Sequence, residues 1–410
     1  MEDKKKREKV SLTELKNSKA EKRIILQTGF RNIDTAIGYR VYDQDTNELI
    51  QINRGILSGS KITLIGVSHS GKSTLAVEMA TNMISPWIIR KDTRAKIHVF
   101  DTEIGVNVER FKKLSKLSLE NVENHVVFNK ITTVEAVKKC LLNIVQEKSD
   151  KNYEMERMIN HSGQEILYYS PTIIIIDSIT NLITDKIADI KNDTTNAMYM
   201  QVAGEIDRFM RQNGHILHKY NITMISVAHT GKVIDPDAMP GSKPKKKWKY
   251  LPASLDIKAP QAISYGCDLG LYFDKIIAAD RKAVKESAAA EWTGGKSIVS
   301  VTIFKSRQPG EGSIFYLVQV PGGFDPLASL LYECQKIGIL QTKPGSRELE
   351  NYGTVRSNEI ISRFKTDSNF RQVLFSALDK YHEESLESNK MTKEEIQESQ
   401  FIYDLLTEEF

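Results

Sequence analysis

Gly66-Val67-Ser68-His69-Ser70-Gly71-Lys72-Ser73-Thr74 stands between the apolar run Ile62-Thr63-Leu64-Ile65 and the amphipathic run Leu75-Ala76-Val77-Glu78-Met79. Strand, glycine loop, Lys-Ser and helix in that order make a cradle for the phosphates of a nucleoside triphosphate. Backbone N–H groups of such a loop point at phosphate oxygens, and the positive end of the following helix adds to the attraction. The pattern wraps Gly66, Ser68, His69, Ser70, Gly71 and Thr74 around the phosphates of ATP. It sets Lys72 on the β/γ oxygens and Ser73 on Mg²⁺. A glycine turn that merely joined strand to helix would not require Lys72-Ser73 at this offset.

Outward from this loop, short apolar runs alternate with longer amphipathic ones. Strands are expected at 61–66, 96–101, 125–129, 172–177, 222–228, 268–274, 297–305 and 313–320. Helices are expected at 72–84, 107–117, 133–147, 196–219 and 326–337. Buried β-branched runs between helices indicate an α/β fold with a mostly parallel central sheet flanked by helices. The last three strands follow one another closely, which makes that edge antiparallel.

The expected organisation is an N-terminal arm or oligomerisation segment over 1–50, an ATPase core over 51–340, and a small α-rich C-terminal domain with an acidic tail over 341–410. Within the arm, Arg23-Ile24-Ile25-Leu26 reads as a short strand that either docks on a neighbour or packs on its own domain. Residues 149–168 are polar and read as an inserted surface loop. The connections 181–195 and 230–260 are long, and loops of that length inside a compact core are functional or disordered.

A chain of 410 residues, 40% hydrophobic and 27% charged, has the composition of a globular protein with a sizeable core. No apolar run approaches the roughly 18 residues of a membrane span, and the start, Met1-Glu2-Asp3-Lys4-Lys5-Lys6-Arg7, has no apolar signal region. Cys140, Cys267 and Cys334 are widely separated, which disfavours a disulfide framework or a zinc site and suits a reducing cytoplasm. The net charge of +4 excludes little; its distribution is basic at the start and at 243–249, and acidic at the end.

Three further strands end in chemistry. Pro171-Thr172-Ile173-Ile174-Ile175-Ile176-Asp177-Ser178 is a buried strand closing on a carboxylate, placed to order the water shell of Mg²⁺; the competing reading is a helix N-cap. Ile97-His98-Val99-Phe100-Asp101-Thr102-Glu103 ends in two acids, and Glu103 is assigned the water-polarising role, with capping of the helix near 107 as the alternative. Ile222-Thr223-Met224-Ile225-Ser226-Val227-Ala228-His229-Thr230 places His229 where it would sense the γ-phosphate, although a lone His at a strand end is more often structural.

The order of these motifs carries a resemblance. Gly55-(x)3-Gly59, the phosphate loop, Phe100-Asp101-Thr102-Glu103 and Ile176-Asp177-Ser178 together resemble the RecA family. Val301-Thr302-Ile303-Phe304-Lys305-Ser306-Arg307 and Gly322-Gly323-Phe324-Asp325-Pro326-Leu327 look like its last core strands and helix. Ala228-His229-Thr230 and the Lys-Ser-Arg strand are most similar to the bacteriophage (UvsX-like) branch of RecA-type strand-exchange recombinases, over roughly residues 23–340. The resemblance implies a DNA-dependent ATPase that uses ATP and Mg²⁺, forms helical filaments on single-stranded DNA and exchanges strands with double-stranded DNA. It also implies single-stranded-DNA-binding and mediator proteins as partners, and a host cytoplasm as the compartment.

By the same resemblance Glu103 is the catalytic glutamate and His229 couples ATP to the second DNA-binding loop. Lys305 and Arg307 reach a neighbouring subunit's ATP; the alternative for both is a solvated strand end. Arg110 stands where the family often stacks an aromatic ring on adenine, so its guanidinium takes that role here.

In the second long connection, Lys243, Lys245, Lys246, Lys247 and Lys249 offer salt-sensitive phosphate contacts, while Trp248 and Tyr250 offer stacking surfaces for bases. The bland reading is a soluble lysine loop. In the first, Lys186, Lys191, Met198 and Met200 are weaker candidates. The last thirty residues carry nine acidic side chains against two lysines, which reads either as a competitor for the basic loops or as a solubilising tail. Two rival functions share the core: a ring-forming replicative DNA helicase, and a non-hydrolysing ATP-bound scaffold.

Overall fold

One ten-stranded sheet organises the computed structural model, which describes residues 23–42, 49–103, 105–130, 133–159, 165–188, 196–232, 249–258, 261–277 and 297–387. Its strands are β1 (Lys61–Gly66), β2 (Lys96–Asp101), β3 (Val126–Asn129), β4 (Thr172–Asp177), β5 (Ile222–Lys232), β6 (Leu255–Lys258), β7 (Leu269–Ile277), β8 (Ser297–Ser306), β9 (Ile314–Val320) and β10 (Gly323–Asp325). Across the sheet they run β10-β9-β8-β7-β1-β5-β4-β2-β3, with β6 paired to the outer part of β5. From β7 through β3 the main ladder is parallel. From β7 through β10 every pairing is antiparallel; short connections account for β8 to β10, whereas residues 278–296 separate β7 from β8.

Burial follows the strand period. Ile173 and Ile175 of β4 enter one core and Ile174 and Ile176 the other, because successive side chains point to opposite faces. The covering helices include α1 (Lys72–Ile89), α2 (Val108–Ser115), α3 (Val134–Lys148), α4 (Asn196–Gln212) and α5 (Pro326–Lys336). Two helices differ from expectation. Helix α1 continues through Pro86 in its last turn, and the long helix expected at 196–219 breaks at Asn213 into α4 and a short helix, Gly214–Lys219.

The peripheral segments differ more from expectation. Ile25–Leu26 pairs antiparallel with Ile56–Leu57, and Ile24, Leu26 and Phe30 are buried in the chain's own core, so this strand packs on its own domain. The insertion at 149–168 contains a hairpin, Glu156–Ile159 with Glu165–Tyr168, rather than a plain loop. Glu156 pins it: its buried carboxylate accepts from Trp87, Ser170 and Tyr168 and pairs with Arg90 at 2.9 Å.

The C-terminal unit is not simply α-rich. A three-stranded antiparallel sheet (Leu340–Lys343, Ser346–Leu349, Gly353–Arg356) precedes the helices Ile360–Thr366 and α6, Ser368–Glu387. Its strands are four residues each, too short for a period-2 pattern to stand out, and the two outer ones are mostly exposed. Its core takes in Leu330, Leu331 and Cys334 of α5, and α6 returns to the N-terminal segment, where Arg54 and Arg31 meet Asp379. No helix among the described residues is long and apolar enough to cross a membrane.

Candidate nucleotide site

Strand β1 delivers the glycine loop, and packing explains its glycines. A Cβ at Gly66 would stand 2.8 Å from Phe273, and one at Gly71 would stand 2.5 Å from the Phe324 ring. Gly71 also has φ 92°, in the left-handed region where a side chain is strained, at the N-cap of α1. Lys72 is buried and folds back over its own loop, Nζ donating to the Val67 carbonyl at 2.6 Å. Burial pushes its pKa down to about 8, against the pull of Asp177 and Glu103. Ser68, His69, Ser70, Gly71, Lys72, Ser73 and Thr74 line a cleft of about 280 Å³ together with Glu103, Gly105, Arg110, Asp177 and His229.

The acids arrive through the sheet register. Asp177 lies opposite Asp101, and His229 opposite Gly66. The ends of β2 and β4 are bonded together: Thr102 N donates to Asp177 O at 2.7 Å, and Ser178 N donates to Thr102 Oγ1 at 2.8 Å. Asp101 is spent on its own loop, accepting from Glu103 N at 3.1 Å and Val106 N at 2.6 Å. That leaves Glu103 to project into the cleft. Helix α2 is capped by Asn107, whose Oδ1 accepts from Arg110 N at 2.8 Å, so neither acid is its cap.

Asp177 is not a cap either, because the short turn Ile179–Asn181 begins at Ser178 without a side-chain cap. Burial raises the Asp177 pKa to about 6, opposed by a bond from the Ser73 hydroxyl and by Lys72. Its Oδ1 is buried with no protein partner. A hydroxyl beside a carboxylate with an unsatisfied oxygen is a donor set that fits a hydrated Mg²⁺.

One oxygen joins three segments. Glu103 Oε1 accepts from His229 Nε2 at 2.7 Å and from Asn181 Nδ2 at 3.0 Å. Burial works against ionisation of Glu103, but the bonds from His229 and Ser178 outweigh it and hold the carboxyl below its usual range. Residue Asn181 had no signal in the sequence; an Asn opening a long connection is an ordinary turn residue. His229 lies inside its strand rather than at the end, because β5 runs on to Lys232 and pairs with β6. The second long connection is therefore mounted on a hairpin stem that begins at the site.

Arg110 reaches the cleft from α2, with Nη1 donating to the Gly105 carbonyl at 2.7 Å. Lys305 and Arg307 do not reach it. Lys305 lies opposite Gly270, and Gly270 opposite Thr63, three rows from Gly66 and roughly 10 Å away along the strand. Because β8 runs antiparallel, its cations come out at the end of the sheet opposite the phosphate loop. There Lys305 Nζ bonds the Tyr265 carbonyl, and Arg307 pairs with Asp268 at 3.2 Å.

Among the nucleic-acid candidates, Lys186 is exposed on a short helix, Asp185–Ala188. Lys249 is exposed and sits 4.8 Å over the Tyr250 ring, while Tyr250 is half-buried against the core, so that ring is less available for stacking than its sequence context implied. Lys191, Lys243, Lys245, Lys246, Lys247 and Trp248 lie outside the described residues.

Residues 42–235 match the family model AAA_25, described as an AAA domain, a P-loop ATPase family found in RecA-like and helicase proteins. The matched stretch holds the phosphate loop, Glu103, Asp177, Asn181 and His229, and stops before Lys305 and Arg307. Sheet, site and match together indicate a P-loop ATPase of the RecA and helicase type. No curated protein matches the chain.

Proposed function

We propose that this chain is a DNA-dependent ATPase that assembles on single-stranded DNA as a helical filament and carries out homologous pairing and strand exchange, in the manner of the bacteriophage branch of RecA-type recombinases. The observation that carries the reading is the shared Glu103 oxygen. His229 opens the stem of the second long connection and Asn181 opens the first, so both candidate DNA loops hold the Glu103 carboxylate at the cleft. A change in either loop is felt at the group that would activate water.

In this reading the phosphate loop and Lys72 bind the triphosphate of ATP. Glu103, ionised at neutral pH, orients the attacking water and takes its proton. Mg²⁺, held by Ser73 and through water by Asp177, would neutralise phosphate charge. Lys305 and Arg307 supply cations to the ATP of the next subunit; a head-to-tail contact that does not close on itself gives a helical assembly.

The test compares ATP hydrolysis with and without single-stranded DNA and images the assemblies. DNA-stimulated hydrolysis by helical filaments supports the proposal. Closed hexamers that unwind duplex DNA would replace it with a ring helicase, and intact ATP binding without hydrolysis would leave a scaffold.

A further inference from the structure

Behind the phosphate loop lies a buried acid that none of these roles uses. Glu78, on α1 two turns beyond Lys72, is 6% exposed. Its Oε1 accepts from the Phe324 backbone N at 2.8 Å, and its Oε2 is buried without a partner. The fit to β10 is close: a Cβ at Gly323 would stand 1.9 Å from Glu78 Oε1. Phe324 is fully buried, and its ring closes on Gly71 so tightly that any side chain there would meet it. The short strand β10 therefore touches α1 twice, through its amide at Glu78 and through its ring at the N-cap of the helix.

We propose that Glu78 is a positioning residue of the phosphate loop, acting through Phe324: the carboxyl holds the Phe324 amide, and the Phe324 ring braces Gly71 in the left-handed turn that aims the loop's N–H groups at phosphate. The inference rests on the nucleotide reading of the cleft. The ionised carboxylate would accept from the Phe324 amide more strongly, but it would also set an uncompensated charge between α1 and β10, and admitting water to that charge loosens the brace. Burial pushes the Glu78 pKa up to about 8, with the Phe324 amide and Lys116 pulling it back. Above that pH the second oxygen carries charge into a cavity of about 100 Å³, walled by Thr81, Asn82, Ser115 and Lys116. Lys116, from the end of α2, is the one other charged group among the described residues lining that cavity.

The experiment titrates a fluorescent ATP analogue into wild-type, Glu78→Gln and Glu78→Leu proteins between pH 7 and 9, with circular dichroism to confirm folding. Glu78→Gln keeps a neutral acceptor and binds like wild type at pH 7. Glu78→Leu leaves the Phe324 amide unpaired and weakens binding about tenfold. Between pH 7 and 9 wild type loses affinity relative to Glu78→Gln. Lys72 titrates in the same window but is present in both proteins, so the difference between them isolates Glu78. A folded Glu78→Leu protein that binds as tightly as wild type, or identical pH profiles for wild type and Glu78→Gln, overturns the brace alone. Wild-type protein that binds no nucleotide overturns the nucleotide reading and the brace with it.

Discussion

The parallel and antiparallel halves of the sheet use their strand ends in opposite ways. In the parallel half, β1, β2, β4 and β5 finish on one side, so Lys72, Glu103, Asp177 and His229 converge on a single cleft although they are scattered over more than 150 residues. In the antiparallel half, direction alternates. Strand β8 begins near the phosphate-loop end and delivers Lys305 and Arg307 to the far end. Strand direction thus sorts the charged groups into those gathered at the cleft and those carried to the far end of the sheet.

The largest expected effect attacks that division. Lys305→Ala with Arg307→Ala should retain ATP binding and lose about a thousandfold in DNA-stimulated turnover, the scale of a cation supplied across a subunit boundary. Glu103→Gln should lose about a hundredfold. Mixing the two inactive proteins should restore turnover, because one brings an intact cleft and the other intact cations. Normal turnover in the double variant, or no recovery on mixing, would show that the two ends do not meet.

A smaller effect concerns the junction inside the parallel half. His229→Ala and Asn181→Ala each free Glu103 from one loop, and the ratio of ATPase rates with and without single-stranded DNA should fall about tenfold, the scale of a lost bond to a charged group. If both variants keep the wild-type ratio, the shared oxygen is not the link.

The last effect is one of stability rather than rate. The Asp177 pKa of about 6 lies above its ordinary 3.8, so the folded protein holds that proton more tightly than the unfolded chain. Stability present at pH 4 is lost as pH rises to about 6, a cost of up to about 3 kcal/mol. Without nucleotide, Asp177→Asn should therefore melt a few degrees above wild type at pH 7 and level with it at pH 4. Added ATP and Mg²⁺ should then raise the melting temperature of wild type more than that of the variant. Equal melting at both pH values would show that Asp177 is not held in a costly ionised state.

These contrasts follow how far the chain could be read directly. The phosphate loop, the β-branched strands and the antiparallel edge were legible because each is written in neighbouring residues: Gly66 to Thr74, Ile173 to Ile176, and short connections from β8 to β10. Glu103 rather than Asp101 lines the cleft for a reason the spacing did not contain, namely that Asp101 is taken up by Glu103 N and Val106 N. Asn181, the extension of β5 to Lys232 and the hairpin at Glu156 were not legible. Each depends on a partner distant in sequence, and an Asn, a Gly-Lys pair or a lone Glu is silent about which partner it will find.

Local pattern was enough for the α/β class and for a nucleotide-binding loop, because strand period, glycine placement and the Lys-Ser offset act over a few residues. Two assignments needed the folded structure: which of Asp101 and Glu103 faces the cleft, and at which end of the molecule Lys305 and Arg307 emerge. The turn after β2, which takes up Asp101, decides the first; register and strand direction, properties of pairs of strands far apart in the chain, decide the second.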